Sequence, residues 1–249
     1  MDNTEIIIVS SAEMLALEAV RRFVALSAAA VSRRGRFSVA LAGGSTPAGL
    51  YRLLAATPFR EQVNWSNVLL YLGDERCVPP DDPRSNTRMI REALLEGIGP
   101  KPVALRAPPS ELLPPEAATA YAGQLRRDFL LEGSTRPRFD LILLGIGDDG
   151  HTASLFPGMP ALDERRRLVV ATDVPTYVRP FVSRITLTLP VLNASGHVMF
   201  LVAGASKAPA VAAILSGPEP EDPLPARRVR LRSGQTTWLL DRAAAAELR

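Results

Sequence analysis

Cysteine is nearly absent from this sequence, in which Cys77 is the only one among 249 residues. A lone cysteine cannot form an internal disulfide, which excludes the disulfide scaffolds of small secreted proteins. We expect Cys77 to be buried rather than reactive. No apolar segment approaches the roughly 18 residues needed to span a bilayer. Residues 1–5 are acidic where a secretory signal is basic, so we predict a cytosolic protein with no membrane partner.

A strong excess of one charge is also missing, because the formal net charge is only +3. The arginines are spread along the chain and do not alternate with aromatic residues, so we predict no nucleic-acid partner. The densest basic runs, 165–167 and 227–232, are interpreted as solvated surface. Histidine is scarce, and no second histidine or cysteine lies at ligand spacing from His151. We therefore predict no metal site.

Short apolar runs alternate with longer helical patterns along the whole chain. The runs of strand length are 6–9, 37–41, 68–72, 141–144, 168–171, 198–203 and 236–240, and the main helical patterns are 13–34, 47–56, 87–96, 116–131 and 205–215. Strands that are apolar almost throughout are typical of a parallel sheet covered on both sides. The order predicts an α/β fold with a mostly parallel, doubly wound sheet and helices on both faces. We expect one domain, 1–249, with a small C-terminal extension formed by strand 236–240 and a helix from Asp241 to residue 248.

Polar and glycine-rich residues follow four of these strands. The segments that follow them are Gly43–Pro47, Gly73–Arg76, Gly145–His151 and Gly204–Lys207. Ligands of open parallel sheets bind outside the carboxyl ends of the strands. If the strands are parallel, these four segments meet at one edge and form one site.

The Gly43-Gly44-Ser45-Thr46-Pro47 segment has the composition of an anion-binding turn. Glycines allow close approach of the backbone to a ligand, and Ser45 or Thr46 can cap the helix that starts at Pro47. The amide groups of a first helical turn attract anions. A capped turn without a ligand is the alternative. Lys207, after another strand, supplies a positive charge and favours a phosphate site.

Charged residues complete the predicted edge. Asp74 and Glu75 are candidates for acid–base chemistry or for hydrogen bonds to sugar hydroxyls, and Arg76 for binding phosphate or a developing oxyanion. An internal salt bridge that shapes the turn is the alternative for these three. Arg184 begins a short alternating strand and can reach the same edge, where a guanidinium grips phosphate with two hydrogen bonds. An ordinary surface arginine is the alternative for Arg184.

Gly145, Gly147 and Gly150 match the spacing of a dinucleotide-binding fingerprint. That fingerprint requires a helix to begin within it. The following residues, 151–160, contain two prolines and a glycine instead. We therefore reject a nicotinamide cofactor.

His151 stands at this same edge, beside Asp148 and Asp149. An imidazole can take up and return a proton near neutral pH, and a neighbouring carboxylate can fix its orientation. These properties make His151 a candidate general base. The other histidine, His197, precedes a strand, and we interpret it as structural.

The motifs resemble those of the 6-phosphogluconolactonases. The resemblance rests on GGSTP at 43–47, GDER at 73–76, GIGDDGHTASLFP at 145–157 and RITLTLPVLN at 184–193, and it extends in order over nearly the whole chain. It implies hydrolysis of 6-phospho-D-glucono-1,5-lactone to 6-phosphogluconate, the second step of the oxidative pentose phosphate pathway, without a metal or organic cofactor. It also implies His151 as general base, Asp149 as the motif acid, and Arg76, Arg184 and Lys207 as substrate-binding charges. Ala42 departs from the serine that is common there, and Asp148 occupies a variable position.

Two other functions remain open. Glucosamine-6-phosphate deaminases share the phosphate turn, but they carry an asparagine and a glutamate before the proline where this chain has Thr152–Phe156. A sugar-phosphate sensor without catalysis is expected to carry a DNA-binding module and to lack His151. The sequence favours the lactonase, acting on a small sugar phosphate, and we expect a monomer.

Overall fold

A computed structural model describes residues 3–99, 103–133, 135–218 and 221–248. The strands are β1 (Thr4–Val9), β2 (Phe37–Leu41), β3 (Val68–Leu72), β4 (Asp74–Arg76), β5 (Leu105–Arg106), β6 (Leu141–Leu144), β7 (Val169–Thr172), β8 (Arg184–Leu187), β9 (His197–Val202) and β10 (Gln235–Asp241). The helices are α1 (Ala12–Arg34), α2 (Ser45–Ala55), α3 (Phe59–Gln62), α4 (Asn86–Ile90), α5 (Pro114–Asp128), α6 (Leu189–Leu192) and α7 (Ala208–Leu215). A π-helical segment, Arg91–Leu95, continues α4, and a 3₁₀ turn, Ala205–Lys207, precedes α7.

The central sheet has seven strands in the order β1-β10-β9-β6-β2-β3-β5. Every neighbouring pair in it is parallel. All residues of β2 and β6 are buried. Strands buried on both faces need apolar residues at every position, which explains the continuous apolar runs of the sequence. The predicted parallel α/β sheet is confirmed.

Helices cover both faces of the sheet, as predicted. One core contains α1, α2 and the π-helical segment, with Phe23, Tyr51 and Leu94 fully buried. The other contains α5 and α7, with Tyr121 and Val211 buried. The longest helix, α1, begins at an N-cap serine, Ser11, whose side chain accepts a hydrogen bond from the Met14 amide. It ends at Gly35, whose φ of 69° favours glycine.

A second, antiparallel sheet has the order β4-β8-β7. We expected 168–171 to join the central sheet and Asp74–Arg76 to form a turn, and both expectations were wrong. Only Gly73 separates β3 from β4, so the chain passes directly from one sheet into the other. The register pairs Asp74 with Thr186 and Arg76 with Arg184, contacts between distant residues that no local pattern predicts.

The C-terminal extension differs from the prediction in its second half. Strand β10 forms as expected and pairs with β1. The predicted helix from Asp241 to residue 248 is a series of turns. The Asp241 carboxylate accepts hydrogen bonds from the amides of Ala244 and Gly204, and such side-chain bonds compete with regular helix formation. Across the described residues, no helix is long and apolar enough to cross a bilayer.

Candidate active site

The site lies where the direction of the central sheet reverses. From β2 the chain builds β3 and β5 towards one edge, and from β6 it builds β9 and β10 towards the other. The loops after the adjacent strands β2 and β6 therefore diverge and leave a crevice, as at other topological switch points. An open cleft of about 240 Å³ occupies this crevice. Pockets for drug-sized ligands measure roughly 300–1,000 Å³, so a cleft of this volume suits a small metabolite.

All four predicted strand ends contribute to the cleft. Its polar and glycine lining comprises Gly43, Gly44, Gly73, Asp74, Arg76, Asn86, Gly145, Gly147, His151, Ser154, Arg179, Arg184 and Lys207. The predicted convergence of the strand ends is therefore confirmed. Ser45, Thr46, Glu75 and Asp149 lie outside this lining, and each has a different place in the structure.

His151 and Asp149 form a hydrogen-bonded pair at the cleft. The Nδ1 atom of His151 lies 2.6 Å from Oδ1 of Asp149, which also accepts the His151 backbone amide at 3.1 Å. Burial raises the pKa of Asp149, but hydrogen bonds and charge from His151 outweigh it, with help from Tyr177, and lower the pKa to about 2. Asp149 is therefore ionised near neutral pH and can only accept, so Nδ1 must donate. A neutral His151 then keeps Nε2 as its proton acceptor.

The glycines of the 145–150 segment shape the histidine turn. A Cβ atom at Gly147 would stand 2.0 Å from Nδ1 of His151, so a side chain there would displace the ring. The Gly147 amide donates to the His151 carbonyl at 2.8 Å, and Gly150 has a φ of 75°. No helix starts within the described residues 145–159. The first helical turn after β6 begins at Pro160. The glycine spacing therefore shapes the histidine turn, without the helix start that a dinucleotide fingerprint requires.

Arg76 and Arg184 face each other across the β4–β8 pair. Arg184 is only 3% exposed, and the Nε atoms of both arginines are buried without a hydrogen-bond partner. Within the described residues, neither guanidinium forms an ion pair with a carboxylate. Burial, together with the charge of Arg76, lowers the pKa of Arg184 to about 10. Two adjacent cations, one of them buried and neither ion-paired with a carboxylate, have the properties required to bind an anion.

Lys207 and the start of α2 border the same cleft. Lys207 Nζ forms an ion pair of 2.7 Å with Asp148, whose side chain is exposed. The N-cap of α2 is Gly44, with a φ of 103° and no side-chain hydrogen bond, so the predicted capping by Ser45 or Thr46 was wrong. These two residues form the first helical turn instead. Their amide groups lie outside the intrahelical ladder and can meet an anion.

Glu75 has an internal role instead of the expected contact with substrate. It is 1% exposed, and its carboxylate accepts hydrogen bonds of 2.7 Å from the amides of Asn86 and Thr87 and from the Thr87 hydroxyl. The Ser85 hydroxyl donates a further bond of 3.1 Å. Its oxygens are thus occupied at the start of α4, where a negative charge also suits the helix dipole.

Sequence analysis missed several residues of the cleft. Asn86 donates to the Asp74 carbonyl, while its Oδ1 is buried without a partner. A Cβ atom at Gly43 would stand 2.0 Å from that Oδ1, so Gly43 gives Asn86 its place. Ser154 donates to Oδ2 of Asp74 at 2.6 Å and thereby orients that carboxylate. The 173–183 loop adds Arg179. Asn86, Ser154 and Arg179 are polar residues of the kind found in binding sites, but no sequence pattern predicted that they would lie together in the cleft.

Comparison with known proteins assigns the fold and motifs to a family. Residues 10–238 match the profile described as glucosamine-6-phosphate isomerases/6-phosphogluconolactonase. A 6-phosphogluconolactonase of Rattus norvegicus is 44% identical over 216 residues, covering 85% of this chain and 80% of the rat protein. One of Synechocystis is 40% identical over 221 residues, covering 88% of each chain.

This chain belongs to the glucosamine-6-phosphate isomerase/6-phosphogluconolactonase family.

The family fold extends over the whole chain. A solved 6-phosphogluconolactonase from Trypanosoma brucei superimposes with a TM-score of 0.85 at 31% identity, covering 100% of both chains. The arrangement of the two sheets described above is therefore the fold of a solved member of this family.

The structure also gives the positions of Cys77 and His197. Cys77 is half-buried, and burial raises the pKa of its thiol to about 11, so the thiolate is scarce near neutral pH. The expectation that Cys77 is buried was thus only partly right. His197 begins β9, at the opposite edge of the sheet from His151, and its Nδ1 lies 3.2 Å from the Asp140 carbonyl. This position agrees with its interpretation as structural.

Proposed function

We propose that this chain hydrolyses 6-phospho-D-glucono-1,5-lactone to 6-phospho-D-gluconate. Curated relatives at 40% and 44% identity carry the name 6-phosphogluconolactonase. The observation that carries the proposal is the composition of the cleft, which is lined by His151, the partner of Asp149, and by Arg76 and Arg184, which form no ion pair with a carboxylate among the described residues. A phosphorylated lactone needs both an acid–base group for its ester and a cationic site for its phosphate.

His151 acts as general base in the proposed mechanism. Its Nε2 removes a proton from water as the water oxygen attacks the lactone carbonyl. The imidazolium then returns the proton to the ring oxygen as the tetrahedral intermediate collapses and the C–O bond breaks. Asp149 stabilises the charged imidazolium and holds its orientation. General acid–base catalysis of this kind contributes about 100- to 10,000-fold.

The cations of the cleft bind the remaining charges. Arg184, Lys207 and the backbone at Gly44, Ser45 and Thr46 hold the phosphate, and Arg76 stabilises the developing oxyanion. The phosphate is remote from the reacting carbon, so its binding fixes the carbonyl near His151 and lowers the entropic barrier. These groups supply everything that the reaction requires, and the proposal includes no metal or organic cofactor. We place the enzyme in the cytosol.

The deciding experiment measures hydrolysis of freshly generated lactone, corrected for spontaneous ring opening, with coupled oxidation of the acid product. We expect rapid hydrolysis by the unaltered chain. His151→Ala is expected to lower kcat by about 100-fold or more, because it removes the general base. Lys207→Ala is expected to raise KM more than it lowers kcat, because it removes a charge from substrate binding.

The same preparations are tested for release of ammonia from glucosamine 6-phosphate. Lactone hydrolysis without ammonia release supports the proposal. Ammonia release without lactone hydrolysis would replace it by a deaminase, and binding of both sugar phosphates without turnover would indicate a sensor. Near-normal kcat in His151→Ala would refute the assignment of the base.

A further inference from the structure

The loop formed by residues 173–183, between β7 and β8, contributes Val178 and Arg179 to the lining of the cleft. Its ends are joined by a hydrogen bond of 2.8 Å from the Ser183 hydroxyl to Asp173, and the Cys77 amide donates to the Ser183 carbonyl. The Pro180 carbonyl accepts a hydrogen bond of 3.0 Å from Arg184. The loop is therefore attached to the small sheet at its base and to one of the anion-binding arginines.

Tyr177 connects this loop to the catalytic pair. Its side chain lies mostly in solvent, with 61% of its surface exposed, yet its hydroxyl donates to Oδ2 of Asp149 at 2.9 Å. Burial against Asp149 and the hydrogen bond to it raise the pKa of Tyr177, so the phenol keeps the proton that it donates. An exposed tyrosine gains little from apolar burial. The hydrogen bond to Asp149 is thus the interaction that gives this side chain a defined position.

The hydrogen bond from Tyr177 completes the set of bonds around Asp149. Oδ1 accepts from the ring and the backbone amide of His151, and Oδ2 accepts from Tyr177. With both oxygens engaged, the plane of the carboxylate is set from two directions. The direction of the Asp149 carboxylate in turn sets the orientation of the imidazole and therefore of Nε2. Catalytic geometry depends on such supporting hydrogen bonds, because small misplacements of the reacting group lower the rate.

We infer that Tyr177 is a positioning residue, which holds Asp149 so that His151 presents Nε2 to the attacking water. The inference rests on the proposed role of His151 as general base. It also makes the 173–183 loop a working part of the site, joined to the acid–base pair through Tyr177 and to the anion site through Pro180.

Tyr177→Phe removes only the hydroxyl and is the first test. We expect kcat to fall about 3- to 10-fold with KM nearly unchanged, because one solvent-exposed hydrogen bond that orients the acid–base pair is lost. Phe181→Leu is the matched control, because Phe181 is an exposed aromatic residue of the same loop and is 60% exposed. Its kcat and KM are expected to match those of the unaltered chain.

A double-mutant cycle separates positioning from other effects of the loop. If Tyr177 acts through Asp149, adding Tyr177→Phe to Asp149→Ala lowers kcat no further. An equal fall of kcat in both backgrounds would show that the hydroxyl acts independently of Asp149, for example on substrate, and would overturn the inference.

A second measurement requires no turnover. The chain has only two histidines, so His197→Gln assigns their NMR signals by elimination. We expect Tyr177→Phe to speed the exchange of the His151 Nδ1 proton with water, while Phe181→Leu leaves it unchanged. Unchanged exchange in Tyr177→Phe would refute the inference, even if the unaltered chain proved inactive towards the lactone. If only the proposed function failed, the unaltered chain would not hydrolyse the lactone, yet Tyr177→Phe would still speed the exchange of the His151 Nδ1 proton.

Discussion

Arg184 shows at the residue scale how binding and stability oppose each other. Its guanidinium is buried beside Arg76, and its Nε atom has no partner. Desolvating a charge without a paired counter-charge destabilises a fold, and removing such a charge often stabilises it. The arrangement is intelligible if an anion supplies the missing partner when the cleft is occupied.

Arg184→Met is expected to raise the KM for the lactone at least about 10-fold, because a phosphate contact is lost. The free energy of unfolding without ligand is expected to rise by about 1 kcal/mol, measured by urea denaturation. Arg22→Met is the control: Arg22 is ion-paired with Glu5 and Glu18, so its loss should lower stability slightly without changing KM. A large loss of stability in Arg184→Met would show that the guanidinium is well compensated in the free protein.

Asp149 predicts a pH dependence of stability. Its pKa falls from 3.8 to about 2 in the folded protein, against the effect of burial, because His151 hydrogen-bonds to its charged form. A carboxylate with a lowered folded pKa stabilises the fold above its unfolded pKa, and this stabilisation is lost as the pH falls. Stability from Asp149 is therefore complete above about pH 4 and disappears towards pH 2.

Thermal melts of the unaltered chain and of Asp149→Asn between pH 5 and pH 2 measure this contribution. The difference in stability between them is expected to shrink as the pH falls through that window. Glu111→Gln, at an exposed carboxylate, controls for the loss of one negative charge. A difference that stays constant down to pH 2 would contradict the role of the ionised carboxylate.

At the scale of elements, Glu75 joins the small sheet to α4. The residue is part of β4, and its carboxylate accepts hydrogen bonds from Ser85, Asn86 and Thr87 as well as from the adjacent Arg76 amide. This contact fixes the start of α4 and with it the Asn86 side chain that lines the cleft. The sequence placed Glu75 in a candidate functional motif. It did not indicate that the start of α4 would cover the Glu75 carboxylate.

Glu75→Gln is expected to lower the free energy of unfolding by about 2 kcal/mol, because an amide cannot accept all the hydrogen bonds of a carboxylate. Chemical denaturation measures this loss. Glu92→Gln should change stability by less than about 0.5 kcal/mol, since Glu92 is exposed and its ion pair with Arg88 joins residues four apart along the same helical stretch. If Glu75→Gln instead raised KM and left stability unchanged, Glu75 would contact the substrate directly and would not have the internal role described here.

On the scale of the whole molecule, the charged residues of the cleft come from the small sheet, from turns that follow strands of the central sheet and from the 173–183 loop. At the edges of the central sheet, β5 has only two residues, while β1 has six and exposes Ile6 and Ile8. Short edge strands resist pairing between copies, which leaves β1 as the edge best able to pair.

We expect a monomer of 26.9 kDa in sedimentation velocity at micromolar concentration. A dimer would contradict this expectation. Ile8→Lys then tests where the contact lies, because a charge on the exposed face of β1 would abolish pairing through that edge while leaving activity unchanged.

The sequence alone was sufficient for the parallel sheet and for the convergence of four strand ends. The first depends on continuous apolar runs, and the second on the rule that parallel strands end at one edge. Tertiary structure decided the rest. It buried Arg184 beside Arg76, turned Glu75 towards α4, and placed Ser154 on Asp74 and Tyr177 on Asp149. Arg76 and Arg184 are 108 positions apart in the sequence, and their contact arises from the antiparallel pairing of short strands whose local patterns are weak. Only packing of the whole chain brings such residues together, because side-chain partners are chosen by proximity in the fold and not along the sequence.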